Sequence, residues 1–455
     1  METLHVAAAA VRQGRCTPVE LVQRCLERID RFEAAVRAWV FVDREGALAE
    51  AERLTVECQR GQWRGALHGI PLGIKDIFDV FDWPTAAGST LWAQSYARRD
   101  ATVVQRLRQA GAIFLGKTVT TQYASFDPPP TRNPWDPSRT PGGSSSGSAA
   151  GLACGMMFGA LGSQTGGSIT RPASYCGVAG CKPTFGRVST DGVVPLAPSL
   201  DHVGPLAHTV RDLAILLQAI AGPDPRDPLC SNRPVPDYLA RLDQPLPPPR
   251  LGRVRGLFQE RADAEVRTLM DRVCDDFRRA GATIHEVGLP AGFHDVVAQH
   301  RLVMAVEAAQ FHASRLRRHP DDYQPKVRGL LEEGLACPAP VYARAKEHQH
   351  QLSREVLACF AEVDALVAPA TTGPPPEAAT TGDPAFQAPW SYTGLPTVSM
   401  PAGWTSAGLP LAIQVVGPPW SEAELLAVAG WCERVLAWEP REPPVEFRRV
   451  RMSHG

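Results

Sequence analysis

Two segments rich in serine and glycine constrain this chain most. The first runs from Pro141 to Ser148 and the second from Gly162 to Ile169, and the residues between them are small and apolar. Glycine permits close backbone approach and dihedral angles that other residues avoid. A flexible linker next to an apolar run would leave buried backbone groups without partners. We therefore expect two ordered loops, with a buried helix following the first.

The composition is typical of a large soluble globular protein. Of the 455 residues, 44% are hydrophobic and 21% charged, and the net charge is −1. This balance gives no sign of nucleic-acid or anionic-membrane binding. No apolar stretch is long enough to span a membrane, and the N-terminus lacks a secretory signal pattern. We expect a cytoplasmic protein whose partners are neither nucleic acids nor membranes.

The cysteines indicate neither a disulfide framework nor a zinc site. There are 11 of them, an odd number, scattered from Cys16 to Cys432 without a CxxC pair. Disulfide frameworks belong to small secreted chains, and zinc sites need clustered ligands. We expect buried free thiols.

Helices that alternate with short apolar strands predict an α/β fold. A capping box with proline at the first helical position, Thr17 to Glu20, opens the first clear helix. Predicted helices cover Pro18–Phe32, Arg44–Arg60, Ala101–Ala110, Leu213–Ile220, most of 265–359, and Ser421–Leu436. Predicted strands cover Gly69–Asp76, Ala112–Leu115, Ala365–Ala368, Thr397–Met400 and Leu411–Val416. No internal repeat or clear linker divides the chain, so we expect one domain over 1–455.

One motif must be rejected. Gly111 to Thr118 matches the phosphate-loop pattern GxxxxGK[ST]. A phosphate loop follows a strand and opens a helix. Here the central Ile-Phe-Leu is typical of a strand, and Gly111 is placed to end the preceding helix. We predict that this segment does not bind nucleotides.

The two serine-glycine loops carry the residues that acyl transfer needs. Ser144 and Ser168 lie 24 positions apart, one in each loop. The glycines beside Ser168 expose consecutive N–H groups, which can hold a developing oxyanion. A plain turn with Ser168 as a helix N-cap is the alternative for this loop alone.

A serine nucleophile needs a base, and Lys75 is the best candidate. The nearest histidines along the chain, His68, His202 and His208, have ordinary interpretations as surface or core residues. Lys75 ends a predicted buried strand. Burial can lower a lysine pKa by roughly 3 units, which is the change that Lys75 needs to act as a base near neutral pH. The alternative is a surface lysine paired with Asp76 or Asp79.

Taken together, these segments resemble the amidase signature family. The resemblance rests on motifs along nearly the whole chain: Gly69–Asp76, Gly142–Ala150, Leu161–Ile169, Arg171–Ala173, Lys182–Thr184, Leu200–Pro205, Thr393–Pro396 and Gly408–Leu411. It implies one α/β/α domain with a mixed twisted sheet between helices. It also implies a helical N-terminal segment over about 1–62 and a variable helical region over about 260–360 that shapes the substrate pocket.

The resemblance implies a Ser-cisSer-Lys catalytic unit. Ser168 matches the nucleophile, Ser144 the bridging serine after a cis peptide bond, and Lys75 the base. The amides from Thr165 through Gly166 and Gly167 would hold the oxyanion. The family needs no metal or cofactor, acts on small-molecule amides, and commonly forms homodimers.

Two departures from the family pattern bear on the substrate. Gln164 stands where many members carry aspartate, and Arg171 lies three residues beyond the matched nucleophile rather than two. The arginine position resembles the malonamidase-like branch, in which it binds a substrate carboxylate. Arg171 therefore has two interpretations, a carboxylate-binding residue or a structural partner of a buried acid.

Two functions remain open. The first is a free-standing amidase that cleaves the C–N bond of a small linear amide. The second is the glutaminase subunit of an aminoacyl-tRNA amidotransferase, which supplies ammonia to a partner subunit. The segment Phe386 to Tyr392 has the FxxPW pattern of free amidases, and Gln164 departs from the usual motif of the glutaminase subunit. These features favour the free amidase.

Overall fold

One mixed sheet of eleven strands runs through the part of the chain that the computed structural model describes, residues 1–438 and 440–444. The strand order is β1-β3-β2-β4-β6-β5-β10-β11-β9-β7-β8. The strands are β1 Trp39–Val42, β2 Pro71–Lys75, β3 Ile113–Thr118, β4 Gly159–Gln164, β5 Ala179–Lys182, β6 His202–Ala207, β7 Arg250–Val254, β8 Thr283–Val287, β9 Ala365–Pro369, β10 Thr397–Trp404 and β11 Pro410–Val416.

Helices flank this sheet, which confirms the predicted α/β fold class. They are α1 Leu4–Arg12, α2 Pro18–Val36, α3 Arg44–Gln59, α4 Thr102–Gln109, α5 Ser146–Ala153, α6 Thr170–Cys176, α7 Val210–Ile220, α8 Tyr238–Asp243, α9 Leu257–Glu260, α10 Ala264–Arg279, α11 Val296–Arg318, α12 Pro325–Ala336, α13 Ala339–Glu355, α14 Ala388–Tyr392 and α15 Glu422–Leu436. Among these helices none is long and apolar enough to cross a membrane.

The predicted capping box of α2 is confirmed. The Thr17 hydroxyl accepts a hydrogen bond from the Glu20 N–H at 3.2 Å, and the Thr17 N–H donates to the Glu20 carboxylate at 2.7 Å. The helix extends beyond the predicted end at Phe32 because Val36 continues its buried face, and Arg37 then ends it in the left-handed conformation.

Three strands lie where the sequence predicted helix. The run between the two serine-glycine loops forms α5 and then β4, so the second loop begins only after Gln164. Strand β4 lies between β2 and β6 and is buried throughout, so it shows no alternation and resembles a buried helix in sequence. Strand β1 interrupts the N-terminal helices, and β8 interrupts the helical region after residue 260.

The segment that resembles a phosphate loop is a strand, as predicted. Gly111 ends α4 with a φ of 85°, and Ile113 begins β3. Lys117 lies inside β3, where its Nζ is 2.8 Å from Asp76 Oδ1 and 2.9 Å from the Pro84 carbonyl oxygen. Both side chains of the pair are buried. This lysine therefore contributes a buried ion pair.

Removal of one partner should destabilise the fold strongly. For Asp76→Ala we expect the free energy of unfolding to fall by about 3 kcal/mol or more, because Lys117 keeps a buried and unpaired charge. Asp30→Ala, which breaks an exposed pair with Arg44, should cost less than about 1 kcal/mol. Urea unfolding of both variants measures the difference. Equal losses would contradict this account of Lys117.

The cysteines are free thiols, as predicted, but the expectation that they are buried fails for Cys16, Cys58, Cys230, Cys337 and Cys359, which are partly exposed. All 11 lie in the described residues without a disulfide, and Cys25, Cys154, Cys176, Cys181, Cys274 and Cys432 are buried. Burial raises the pKa of the Cys176 thiol well above its usual range, so this group packs as an apolar side chain. The described part of the chain contains no group of three His, Cys, Asp or Glu residues that could hold a metal ion.

Candidate active site

Lys75 lies at the centre of the site. It ends β2, which pairs in parallel with β4, and its side chain is 0% exposed. Its Nζ donates hydrogen bonds to Ser144 Oγ at 2.7 Å and to Ser163 Oγ at 2.8 Å. Asp76 pairs with Lys117 instead. The interpretation of Lys75 as a surface lysine paired with Asp76 is therefore excluded.

The surroundings of Lys75 favour its neutral form. Burial lowers the pKa of Lys75 well below its ordinary range, and the Asp201 carboxylate opposes this shift more weakly. Asp201 is held by the hydroxyl of Thr165 and by the N–H groups of Leu196 and Ala197 at 2.9 and 3.0 Å. Burial raises the pKa of Asp201 to about 6. An amine without its proton can accept one from a hydroxyl.

The first serine-glycine loop, which carries Ser144, contacts the second loop, which carries Ser168. The Gly143–Ser144 peptide bond is cis, as the resemblance implied. The Ser144 carbonyl accepts a hydrogen bond from the Thr121 N–H at 3.3 Å, and the next residue, Ser145, donates its N–H to the Ser168 carbonyl at 3.3 Å. The two serine-bearing loops are thus in direct contact through their backbones.

Side chains from distant helices hold the second loop. The Thr165 carbonyl lies 2.9 Å from His300 Nε2, so that nitrogen carries the ring proton. The Gly166 carbonyl accepts a hydrogen bond from Ser391 Oγ at 2.9 Å. A Cβ on Gly167 would lie 2.8 Å from Gln387 Oε1, so only glycine fits at this position without a shift. The turn before Ser168 is therefore fixed from several sides.

Gln164 lies behind this turn. Its Oε1 accepts hydrogen bonds from the N–H groups of Ile169 and Thr170 at 2.9 and 3.0 Å, and from the Thr170 hydroxyl at 3.1 Å. Its Nε2 donates to Ser391 Oγ at 3.1 Å. Gln164 is not among the residues that line the cavity in front of Ser168. Its amide connects the end of the loop to the start of α6.

Arg171 carries a buried guanidinium beside the loop. It is 3% exposed, and its Nη2 donates to the Gly143 carbonyl at 2.9 Å. Its Nε and Nη1 have no hydrogen-bond partner within the described residues. Burial lowers the pKa of Arg171, although a guanidinium keeps its proton in proteins. No carboxylate within the described residues lies at ion-pair distance from Arg171. Asp383 acts on its pKa from farther away, and that carboxylate is paired with Arg261 at 2.9 Å.

Ser168 and Arg171 open on one cavity, which we call the front cavity. Its volume is about 270 Å³, and Ser168 itself is 7% exposed. The turn residues Thr165, Gly166 and Gly167 form part of its wall. Helix α11, from the predicted pocket-shaping region, contributes Val297, His300, Arg301 and Met304. A space of this size suits a small organic molecule.

Four residues at this site were not singled out from the sequence. Ser163 and Asp201 lie inside motifs that supported the family resemblance, so motif position was an available signal. Ser391 lies in the FxxPW segment, and its hydroxyl contacts the loop from 225 residues away. His300 gave no signal, since it contacts Thr165 across 135 residues of sequence. Only the folded chain brings the last two to the loop.

Comparison with known proteins identifies the family. A family model described as Amidase matches residues 20–426. The chain belongs to the amidase family. The chain is therefore a hydrolase that acts on amide C–N bonds.

Its similarity to individual members extends over the whole chain. AmiD of Mycobacterium tuberculosis is 37% identical over 97% of this chain and 96% of its own length. A glutamyl-tRNA(Gln) amidotransferase subunit of Myxococcus xanthus is 36% identical over 97% and 99%. The X-ray structure of the peptide amidase of Stenotrophomonas maltophilia is 31% identical, with a TM-score of 0.86 over 98% of each chain. The family therefore includes both free amidases and amidotransferase subunits.

Proposed function

We propose that this protein hydrolyses a small linear amide through an acyl-enzyme on Ser168. The observation that supports this most is the hydrogen bond between the buried, depressed-pKa Lys75 and Ser144, beside the loop that carries Ser168. A panel of primary amides, anilides and half-amides of dicarboxylic acids tests the proposal, with release of ammonia or amine as the measurement. No turnover on any member would contradict it.

In the proposed cycle, protons move through Ser144. Neutral Lys75 accepts the Ser144 proton while Ser144 accepts the Ser168 proton, and Ser168 Oγ attacks the amide carbon. Ser144 then donates a proton to the leaving nitrogen and regains one from Lys75. In the second half, water attacks the acyl carbon and gives up a proton through Ser144 to Lys75. The bond from the acyl carbon to Ser168 Oγ then breaks, and Ser168 regains its proton through Ser144 as the carboxylic acid leaves.

The turn from Thr165 to Ser168 is proposed to hold the oxyanion. No backbone carbonyl in the described chain accepts a hydrogen bond from the N–H of Gly166, Gly167 or Ser168. Such free donors, fixed before the reaction starts, are worth about 3 to 4 kcal/mol each in acyl transfer. Gln164 supports this role by holding the end of the turn in place.

Arg171 is proposed to bind a carboxylate of the substrate. Two of its nitrogens lack partners within the described residues although the guanidinium is buried and lines the front cavity. Buried charges in proteins are normally paired, and a planar guanidinium matches a carboxylate well. This pairing favours half-amides of dicarboxylic acids over neutral amides.

Arg171→Ala should separate these two substrate classes. For succinamate we expect kcat/KM to fall about 30-fold or more, mainly through KM, because loss of a buried charge partner costs about 2 kcal/mol or more. For neutral butyramide the change should be only a few-fold. Steady-state kinetics on both amides provides the measurement, and equal losses would contradict carboxylate binding.

A second candidate function is the glutaminase subunit of an aminoacyl-tRNA amidotransferase, which the similarity to the Myxococcus xanthus protein supports. The two functions differ in partners. We propose a homodimer for the free amidase, whereas the glutaminase subunit requires a different chain. Purification of the tagged protein from its native cells, with identification of bound chains, decides between them. A stoichiometric second chain and glutamine as the preferred substrate would favour the amidotransferase.

A further inference from the structure

A turn with two left-handed residues forms part of the wall of the front cavity. We call residues 121–126 the wall segment, because Ala124, Ser125 and Phe126 line that cavity. Tyr123 has a φ of 49° and Ala124 a φ of 57°, in a region that residues with side chains disfavour. Such a conformation persists only where the surrounding structure holds it. The turn therefore depends on contacts from outside the segment.

Asp322 holds this turn from another part of the chain. It lies in the connector, residues 319–324, between α11 and α12, two helices that also line the front cavity. Its Oδ2 accepts a hydrogen bond from the Tyr123 hydroxyl at 2.6 Å. The hydroxyls of Ser89 and Thr90 donate to the same carboxylate at 2.8 and 3.1 Å. One carboxylate thus joins the connector to the wall segment and to a third stretch of chain.

The hydrogen bond between Asp322 and Tyr123 is charge-assisted. Partial burial acts to raise the pKa of Asp322, but the hydrogen bonds from Tyr123, Ser89 and Thr90 together lower it, so the group is a carboxylate at neutral pH. Burial and the bond to Asp322 raise the pKa of the Tyr123 phenol above its usual range, so the phenol keeps its proton and donates. Hydrogen bonds to charged groups are stronger than those between neutral groups.

Other contacts join the wall segment to the same region. Gln122 Nε2 donates to the Asp322 carbonyl at 2.5 Å, and the Gln324 N–H donates to Gln122 Oε1 at 2.7 Å. Asp127, which directly follows the segment, accepts hydrogen bonds from two backbone N–H groups in the first turn of α12, at 2.9 and 2.8 Å. Of these contacts, the one from the Tyr123 hydroxyl is made by a residue of the left-handed pair.

The ring of Tyr123 is fixed separately from its hydroxyl. The ring centroid lies 4.5 Å from that of His312, 5.2 Å from that of Tyr323 and 5.4 Å from that of Trp92. Tyr123→Phe keeps these ring contacts and removes only the hydroxyl. This variant therefore isolates the hydrogen bond to Asp322.

We propose that Asp322 is a positioning residue for the amidase reaction, which holds the left-handed turn through the Tyr123 hydroxyl and so shapes the wall of the front cavity for the substrate. This inference rests on the proposed function, in which Arg171 holds the substrate in that cavity. Only molecules with the turn in place bind the substrate well, so loss of the hydrogen bond lowers the apparent affinity. KM should rise, whereas kcat should change little, because the wall segment supplies none of the reacting groups.

Steady-state kinetics of Tyr123→Phe and Asp322→Ala on succinamate test this role. For each variant we expect KM to rise about 5-fold or more and kcat to change by less than about 2-fold. Because both substitutions remove the same hydrogen bond, the double variant should raise KM no further than the larger single effect. Thr90→Val is the matched control, since it removes another hydrogen bond to the same carboxylate and leaves that of Tyr123. Its KM should equal that of the unmodified enzyme.

Hydrogen exchange provides a readout that does not depend on turnover. The N–H groups of Tyr123, Ala124 and Ser125 donate to backbone carbonyls at 2.8, 3.0 and 3.0 Å. Opening of the turn breaks these bonds and exposes the N–H groups to exchange. Mass spectrometry of a peptide that covers the wall segment should show faster exchange in Tyr123→Phe and Asp322→Ala than in the unmodified enzyme. Thr90→Val should exchange like the unmodified enzyme.

The outcomes separate this inference from the function on which it rests. An unchanged KM in Tyr123→Phe, an equal rise in Thr90→Val, or additive effects in the double variant would overturn the positioning role and leave the proposed function intact. A lower Tm without a change in KM would show a purely structural role and overturn it as well. If the unmodified enzyme hydrolysed no member of the amide panel, the proposed function would fail, and the positioning role with it. Faster exchange and a higher KM, confined to the variants that lack the Tyr123–Asp322 bond, support the inference.

Discussion

Ser168→Ala should lower kcat for any amide substrate by about 10⁴-fold or more. Alanine has no Oγ, so no acyl-enzyme can form, and loss of a nucleophile typically removes most of the catalysis that a serine enzyme provides. The residual rate would come from the oxyanion donors and from substrate binding. Release of ammonia or amine under single-turnover conditions is the measurement, since it detects rates that steady-state assays miss.

A serine in the contacting loop provides the matched control for this prediction. Ser145 is buried beside Ser144, and its hydroxyl contacts only the Ser163 backbone, donating to the carbonyl at 3.3 Å and accepting from the N–H at 3.4 Å. Ser145→Ala should therefore change kcat by no more than about 10-fold, through a small adjustment of the loop. If Ser145→Ala lost as much activity as Ser168→Ala, the loss would reflect loop structure and the role of Ser168 would fall.

Lys75→Met should lower kcat by about 10³- to 10⁴-fold, the contribution expected of a positioned general base. Lys75→Arg should be equally inactive, because a guanidinium keeps its proton and cannot accept one from Ser144. In the unmodified enzyme, kcat/KM should rise with pH through the depressed pKa of Lys75, since only the neutral amine acts as base. A pH profile of kcat/KM, measured on the unmodified enzyme, gives the position of that rise.

The stability of the Lys75 variants provides an independent readout. The folded-state pKa of Lys75 lies below its unfolded value, so the protonated lysine destabilises the fold. This penalty is full below the folded pKa, shrinks as pH rises toward the unfolded pKa, and is absent above it. Thermal unfolding should therefore show Lys75→Met gaining Tm relative to the unmodified protein as pH is lowered. A difference in Tm that is independent of pH would contradict a depressed pKa.

Local sequence was sufficient to predict helix ends and strands that depend on residues close together in the chain. Thr17 and Glu20, three residues apart, predicted a capping box, which the structure contains. Gly111 predicted the end of a helix, and in the structure Gly111 has a left-handed φ of 85° directly after α4. The segment that matches the phosphate-loop pattern was correctly predicted to be a strand for the same reason, because Ile-Phe-Leu indicates a buried strand. By contrast, β4 was taken for helix, since a strand buried on both faces has no alternating pattern.

The residues of the candidate site likewise separate into those that the sequence predicted and those that only long-range contacts bring to the site. The residue types at 75, 144 and 168, and their place in family motifs, were enough to predict an amide hydrolase without any coordinates. Three other features depend on segments far apart in sequence: the hydrogen bond from Lys75 to Ser163, the contacts of His300 and Ser391 with the loop, and the burial of an Arg171 guanidinium with two nitrogens lacking partners in the described residues.

The sequence by itself thus predicted an amide hydrolase, because the segments with glycine-bounded serines and with a lysine at the end of a buried strand resemble motifs of the amidase family, to which the chain belongs. Only the tertiary structure decided the surroundings of those groups and the direction in which burial shifts the pKa of Lys75. Burial is a property of the whole fold, and it is burial that favours neutral Lys75 and leaves Nε and Nη1 of Arg171 without a partner in the described residues. It likewise encloses the front cavity, onto which Ser168 and Arg171 open.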